Sequence, residues 1–389
     1  MKTMKHLLAS LFCALLTTAA TAQESGFNLI VVGDVQPQKE WQLDTLKQEI
    51  IPAIASIVEE YRATNYPTAI LLTGDVAWDN MAYLHEVKTL FEALNVPVHA
   101  VIGNHDHNRY NSRRESLSES DYEAVWGSRY YAFELGETLF IGLDNIRYMG
   151  YENYKYKISN EQFRWLKKIV SEQPRDKHIA IAMHAPAANF KTEKPRAYIR
   201  KVLRLLRGHD IDLITGHRHR HATIDYAPNI IEHNVAQVNG NLWFAPICTD
   251  GTPRGVFCIE ERNGVWQWQH RLLGHDTDTQ LILWQEGEVN DHEEYLVVKV
   301  IGWDKRWRIE WSENGEKRGT MEQIEILDPD YMNYIDNTAN YEPIIMQRLR
   351  RSTEPHRHYF RCKRSIENSH ITITATDRFG RIYTLEEGR

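Results

Sequence analysis

Seven side chains that can hold a metal ion stand directly behind short apolar runs in this chain. Asp34 and Gln36 follow FNLIVVG, Asp75 follows TAILLTG, Asn104 follows VHAVIG, His184 follows HIAIAM, and His217 and His219 follow IDLITG. An apolar run that breaks at Gly-Asp delivers a carboxylate to the edge of a buried sheet. In an open α/β sheet, side chains at the carboxyl ends of the strands converge on one crevice, so segments far apart in sequence can share one site. Taken singly these residues say little, since a lone His is more often a hydrogen-bonded structural residue. Together they make a mixed nitrogen and oxygen donor set without thiolate, which suits Mn, Fe or Zn and excludes a cysteine-type structural zinc site.

The elements that must position these groups are legible from Phe27 to about Ile214, where short apolar runs alternate with amphipathic stretches, the pattern of an α/β core. Residues 40–62 carry Leu43, Leu46, Ile50, Ile54, Ile57, Val58 and Tyr61 at helical spacing. A second helix is expected at ISNEQFRWLKKIV, with Ser159 and Gln162 spaced as a capping box. After Gly216 the texture becomes β-like, with a hairpin turn at Asn263-Gly264. Beyond about Asp276 helices are expected to be scarce, and WRIEWSENGEKRG and ITITATDRFGRIYTL read as hairpins. A domain change is expected between residues 274 and 292 and placed at 288/289, with residues 289–389 forming a small β-sandwich.

The motifs GDVAWDN, GNHD, MHAP and GHRH, in this order, resemble those of the calcineurin-like metallophosphoesterases, over about Asn28 to His219. The stretch LWFAPICTDGTPRG is similar to a loop of secreted members with an appended C-terminal domain. The resemblance implies a four-layer α-β-β-α sandwich over residues 23–288 and two divalent metals bridged by Asp75. The first metal would take Asp34, the residue at position 36 and His219. The second would take Asn104, His184 and His217. Two close cations need an anionic bridging oxygen, and a short carboxylate at a rigid strand end supplies it. In His217-Arg218-His219, the alternation of an extended chain would point both imidazoles the same way.

The same resemblance implies that the metals bind the phosphoryl oxygens of a phosphate ester and activate water as hydroxide for attack on phosphorus. It gives His105 the task of protonating the leaving oxygen, and Asp106 beside it can hold the imidazolium form. The first motif departs from the family's D-x-H: it reads Asp34-Val35-Gln36. Gln36 is either a neutral oxygen ligand in place of imidazole or a loop amide bonded to nearby backbone. With that position weakened, a binding protein for phosphorylated or glycan ligands is the alternative to an enzyme. The intact second ligand set and His105 favour the enzyme.

Residues 1–22 read as a secretory signal, with Lys2 and Lys5 before an apolar stretch and Ala20-Thr21-Ala22 before Gln23, so a secreted or periplasmic protein is expected. No later stretch is apolar enough to span a membrane. The formal charge of −7 becomes −9 when those two lysines are removed, which leaves no general field for nucleic acid. Cys248 and Cys258 bracket a loop closely enough for a disulfide, with three buried thiols including Cys362 as the alternative. The basic stretch KTEKPRAYIRKVLRLLRG reads as the solvated face of a helix that packs through Ile199, Leu203 and Leu206. His107 and His221 flank the motifs and are minor candidates for substrate contact. The choice of monoester, diester or pyrophosphate, and the oligomeric state, are left open.

Overall fold

The computed structural model describes residues 25–111, 115–150, 153–337 and 343–387, so the expected leader 1–22 lies outside the described residues. Two mixed sheets stack face to face. The first runs in the order Val265–Leu272, Gly255–Arg262, Gly26–Val32, Thr68–Leu72, Val98–Ala100. Its last three strands are parallel, and the first two form an antiparallel hairpin joined to them. The second runs Ala222–Ala227, Ile230–Asn234, Ile211–Thr215, Ile179–Ala182, Thr138–Gly142, Tyr131–Leu135.

Side chains alternate across each strand, and this builds the layers. Leu29 and Val31 face the second sheet and meet Phe140, Ala180 and Ile214. Ile30 and Val32 face outward and are covered by Ile50, Ile54, Val58 and Phe91 from helices. On the far side, Ile181 and Leu213 are covered by Leu166, Val170 and Val202. The result is an α-β-β-α sandwich with three apolar seams. The inner strands Thr68–Leu72 and Ile179–Ala182 are almost wholly apolar because both of their faces are buried.

The helical face foreseen for residues 40–62 is buried at Leu46, Ile50, Ile54, Ile57, Val58 and Tyr61. It is not one regular helix: Glu40–Thr45 passes through a π turn, Leu46–Ile50, into Ile51–Arg62. Pro52 lacks an N–H and its ring crowds the carbonyl one turn back, and the wider turn before it relieves that crowding. Ser159 caps the helix Asn160–Ser171, accepting the Gln162 N–H at 3.1 Å. Only half of the capping box forms. The Gln162 amide turns away to bond both backbone groups of Asp144, at 3.0 Å each, and so ties the helix to the end of its neighbouring strand.

The hairpin at Asn263-Gly264 closes with both residues at positive φ, 52° and 80°, as a tight primed turn requires. Ile199, Val202 and Leu206 are buried and Leu203 half-buried, so the basic stretch is the outer face of a packed helix. Cys248, Cys258 and Cys362 are buried free thiols, which settles the open choice against the bridge. No helix among the described residues is long and apolar enough to cross a membrane.

The C-terminal part holds two four-stranded antiparallel sheets around Leu296, Val298, Ile309, Phe360, Ile371 and Ile373. The strand Leu281–Trp284 precedes residue 289 yet pairs with Leu296–Val300. Trp303, Trp307 and Trp311 pack against this core. Contrary to the expectation of scarce helices, Pro329–Asn337 and Pro343–Ser352 lie between its strands. Their Tyr331, Ile335 and Leu349 pack on Ala245 of the preceding loop, which explains an apolar face with no partner inside the β-sandwich.

The same junction is pinned by a buried ion pair. Lys299 Nζ lies 2.8 Å from Asp328 Oδ2, both side chains fully buried, and the Tyr359 hydroxyl donates to that oxygen at 2.9 Å. Removing the acid leaves the fully buried ammonium with the half-exposed Asp330 carboxylate, 3.9 Å away, as a weaker acidic neighbour. Asp328→Ala is therefore expected to lower stability by about 3–5 kcal/mol in urea unfolding followed by tryptophan fluorescence. A loss below about 1 kcal/mol, the worth of an exposed pair, would show that Lys299 does not depend on it.

Candidate metal centre

The strand ends bring all seven predicted ligands to one rim of the sandwich. Asp75, His184 and His217 offer ligand atoms within 4.8 Å of one another, and so do Asp34, Asp75 and His219, with Asp75 common to both groups. His184 donates its Nδ1–H to the Thr73 carbonyl at 2.9 Å, because a carbonyl can only accept, so in the neutral imidazole Nε2 is the nitrogen left for a metal. That nitrogen stands 3.2 Å from Asp75 Oδ2, 3.1 Å from Asn104 Oδ1 and 3.1 Å from His217 Nδ1. Tyr156 holds the other nitrogen of His217 at 2.8 Å. Four atoms able to bind a cation thus gather in a buried gap, with His184 Nε2 within 3.2 Å of each of the other three.

The electrostatics agree. Burial, reinforced by Asp75, pushes the Asp34 carboxyl up to about 8 against the pull of His184. Burial opposes ionisation of Asp75 too, but the His184 and His105 imidazoles hold its carboxyl well below the usual range. Burial lowers His184, and the two carboxylates override it, raising the imidazole to about 9. Two carboxylates this close cannot both ionise without a positive neighbour. The donor set therefore fits divalent metal in both groups.

Backbone strain is concentrated here. Asp34, Gln36, Asp75, Asp79, His217 and His219 have φ between 34° and 70°, the left-handed region that non-glycine residues enter at about 1–3 kcal/mol each. His217 and His219 do not lie on an extended strand, as the alternation of the sequence suggested. They reach one site because the chain turns sharply twice, with the Arg218 N–H bonded to the Gly216 carbonyl at 2.8 Å. Gly103 lies so close to Asp75 that a Cβ there would fall 2.1 Å from its Oδ1.

His105 sits beside the metal positions with its side chain 23% exposed. Its Nδ1 is held at 3.1 Å by Asp79, not by Asp106, and its backbone N–H donates to Asp75 Oδ1 at 2.8 Å. Burial works against the imidazolium, and Asp75 and Asp79 together raise its pKa above the ordinary value. Asp106 instead accepts the N–H groups of Ala77, at 3.0 Å, and Gly103, at 2.8 Å, fixing the two loops against each other. Asp79 lies inside the GDVAWDN motif, and its presence there was the available signal. His107 is fully buried, bonded to the Gly103 carbonyl at 2.8 Å and stacked on Tyr148, so it faces away from any substrate.

Residues 27–221 match calcineurin-like phosphoesterase, and residues 232–383 match the C terminal of calcineurin-like phosphoesterase. The chain belongs to the calcineurin-like phosphoesterase family. As a member it is a dinuclear-metal hydrolase, and the two groups described above could hold its metals. No curated protein matches the chain. Among solved structures it is similar to a dimetal phosphatase from Danio rerio, at 17% identity over 64% of this chain and 99% of that one, with a TM-score of 0.41. It is also similar to a purple acid phosphatase from yellow lupin seeds, at 15% identity over 71% and 51% of the two chains, with a TM-score of 0.41. A third is 5'-nucleotidase from Candida albicans, at 12% identity over 65% and 52%, with a TM-score of 0.39.

The C-terminal part of this phosphoesterase reaches its metal centre. A cavity of about 210 Å³ beside His217 and His219 is walled by Arg218, Arg220, Glu354 and His356. A larger cavity of about 540 Å³ shares Arg220, Glu354 and His356 with it and is lined from both parts of the chain by Phe190, His221, Asp250, Trp303 and His358. His358 bonds the Asp250 carbonyl at 2.7 Å and the Tyr359 hydroxyl stands 2.9 Å from it, which fixes the wall to the loop that carries Asp250.

Proposed function

We propose that this phosphoesterase hydrolyses a phosphate monoester or diester whose leaving group is polar and larger than the phosphate itself. The observation that carries this reading is the convergence of His184, Asn104, His217 and Asp75 on one gap, with Asp75 shared by Asp34 and His219. Asp34, Asp75 and His219 would hold one metal, and Asp75, Asn104, His184 and His217 the other. When bound, two divalent ions supply Lewis acidity toward the phosphoryl oxygens and toward water. His105, with Nδ1 held by Asp79, turns Nε2 outward to give a proton to the leaving oxygen.

Chelated full-length protein reloaded with Mn, Zn or Fe is the test, with p-nitrophenyl phosphate and bis-p-nitrophenyl phosphate as substrates. Turnover is expected only with metal. Turnover in the chelated protein, or none with any of these metals on either ester, overturns the reading. The leader-like residues 1–22 support export, and a mass of the exported protein that begins at Gln23 is the check. We also place the division between the two parts between Leu272 and Leu281, since the strand Leu281–Trp284 pairs only with the C-terminal sheet.

The cleft supports a role for the C-terminal part in holding the leaving group. Glu354 and His356 line the smaller cavity, and neither belongs to the ligand groups. Glu354→Ala and His356→Ala are each expected to raise KM for a sugar or nucleoside phosphate on the order of fivefold, the worth of one hydrogen bond. KM for p-nitrophenyl phosphate should stay near the unmodified value. An equal change for both substrates would remove the cleft from the substrate's path.

A further inference from the structure

We infer that Gln36 serves the metal centre as a positioning residue, a locked hydrogen-bond donor to Asp75, and not as a metal ligand in place of histidine. The inference rests on the dinuclear-metal reading and concerns how the first metal position is built. Gln36 is fully buried, and its amide has one partner at each end. Nε2 donates to Asp75 Oδ2 at 2.7 Å, and Oε1 accepts from Gln237 Nε2 at 2.9 Å.

An amide can be turned over without changing its shape, so the orientation needs an anchor. The anchor is a backbone group. Gln237 Oε1 accepts the Leu242 N–H at 2.8 Å, and a backbone N–H can only donate. Gln237 therefore presents its NH2 to Gln36, Gln36 answers with its oxygen, and its own NH2 is left facing Asp75. Reversing Gln36 alone would set two NH2 groups against each other and press its oxygen on a carboxylate oxygen. Reversing both amides would leave the Leu242 N–H facing a donor. All of these groups are buried, apart from the partly buried Leu242, so no water relieves either mismatch.

The backbone reinforces the arrangement. The Gln36 N–H donates to the Asp75 carbonyl at 3.0 Å, and Trp243 Nε1 donates to the Gln36 carbonyl at 3.0 Å. The oxygen that Gln36 would need for a metal thus faces Gln237, and the NH2 takes the side toward Asp75. The first position keeps Asp34, Asp75 and His219 as its protein ligands, against the four residues around the second, and binds its metal more weakly. A histidine at position 36 would meet the same Gln237 NH2. It would have to accept from it, and so would carry its proton on the nitrogen that faces the metal.

Manganese titration of the full-length protein, with free Mn2+ read by electron paramagnetic resonance, tests this. The unmodified chain should bind two ions with unequal affinity. Because Asp75 serves both ions, Gln36→Ala should weaken both steps, roughly tenfold each. Gln36→His alone should not tighten the weaker step. Gln36→His combined with Gln237→Glu supplies an acceptor for the imidazole N–H and should tighten that step by about tenfold or more, the scale of a carboxylate that orients a histidine ligand. Weakening of one step only in Gln36→Ala, or tightening by Gln36→His alone, would make Gln36 a ligand and overturn the inference. An unmodified chain that binds neither manganese nor, by elemental analysis after reloading, zinc or iron would instead reject the metal-centre reading on which it stands.

Discussion

Asp75→Asn should leave a folded protein that holds less than its full metal complement and has lost on the order of a thousandfold or more in kcat/KM, because several kcal/mol of transition-state stabilisation depend on the two ions. The substitution keeps the size of the side chain, and the carbonyl oxygen of the new amide can still accept the His105 N–H that Asp75 Oδ1 now accepts at 2.8 Å. What it removes is the one anionic group common to both ligand sets. Each ion then loses a charged donor, and the pair loses the charge that offsets its mutual repulsion. Elemental analysis and steady-state kinetics on the same preparation check this. Full metal content with full activity would rule out a bridging role.

The same variant should behave differently in stability. Without metal, Asp34 and Asp75 share one buried space, and burial above all, with the Asp75 charge adding to it, pushes Asp34 up to about 8. The substitution removes their repulsion, but it also removes the charge that His184 and His105 hold ionised and sets an NH2 against the Gln36 Nε2–H that Asp75 Oδ2 accepts at 2.7 Å. The metal-free Asp75→Asn variant should therefore melt no higher than the metal-free parent, and the parent alone should gain from added metal. A higher melting point would mean that the repulsion from Asp34 outweighs every contact that Asp75 makes. Left-handed conformations at Asp34, Asp75, His217 and His219 bring donors together at a cost that folding alone does not require.

Much of this was legible in the chain because it depends on local pattern. The runs FNLIVV, TAILLT and IDLIT are buried strands because each alternates between two covered faces, and every foreseen ligand follows one of the apolar runs. The face from Leu46 to Tyr61 was readable even though the π turn before Pro52 was not, since burial tolerates an irregular turn that hydrogen-bond counting would reject. What stayed hidden depends on contacts between distant residues. Gln36 and Gln237 are 201 positions apart, and only the register of the Leu242 N–H decides which way their amides point. Asp79 was visible but had no stated duty, because a sharp turn at positive φ, not sequence adjacency, carries it to the imidazole. Asp106, adjacent in sequence, points the other way. The helices Pro329–Asn337 and Pro343–Ser352 were missed because their apolar side chains pack on a loop of the other part of the chain.

His105→Ala should slow esters with poor leaving groups by about 10²–10⁴-fold and p-nitrophenyl phosphate by far less, with metal content unchanged. Only a poor leaving group needs a proton as its bond to phosphorus breaks; p-nitrophenolate departs as a stable anion. The geometry supports a proton donor because His105 is the one histidine of the cluster with a carboxylate at hydrogen-bond distance from Nδ1 and solvent within reach of the ring. Asp79→Asn should act in the same direction but more gently, roughly 10- to 100-fold, since it removes the charge that orients the ring and leaves the ring in place. A series of aryl and alkyl phosphates, with log kcat/KM plotted against leaving-group pKa, reads both at once: the slope should steepen in both variants, more in His105→Ala. Two lines parallel to that of the parent would show that His105 acts on binding or on structure, and the proton would then have to come from solvent.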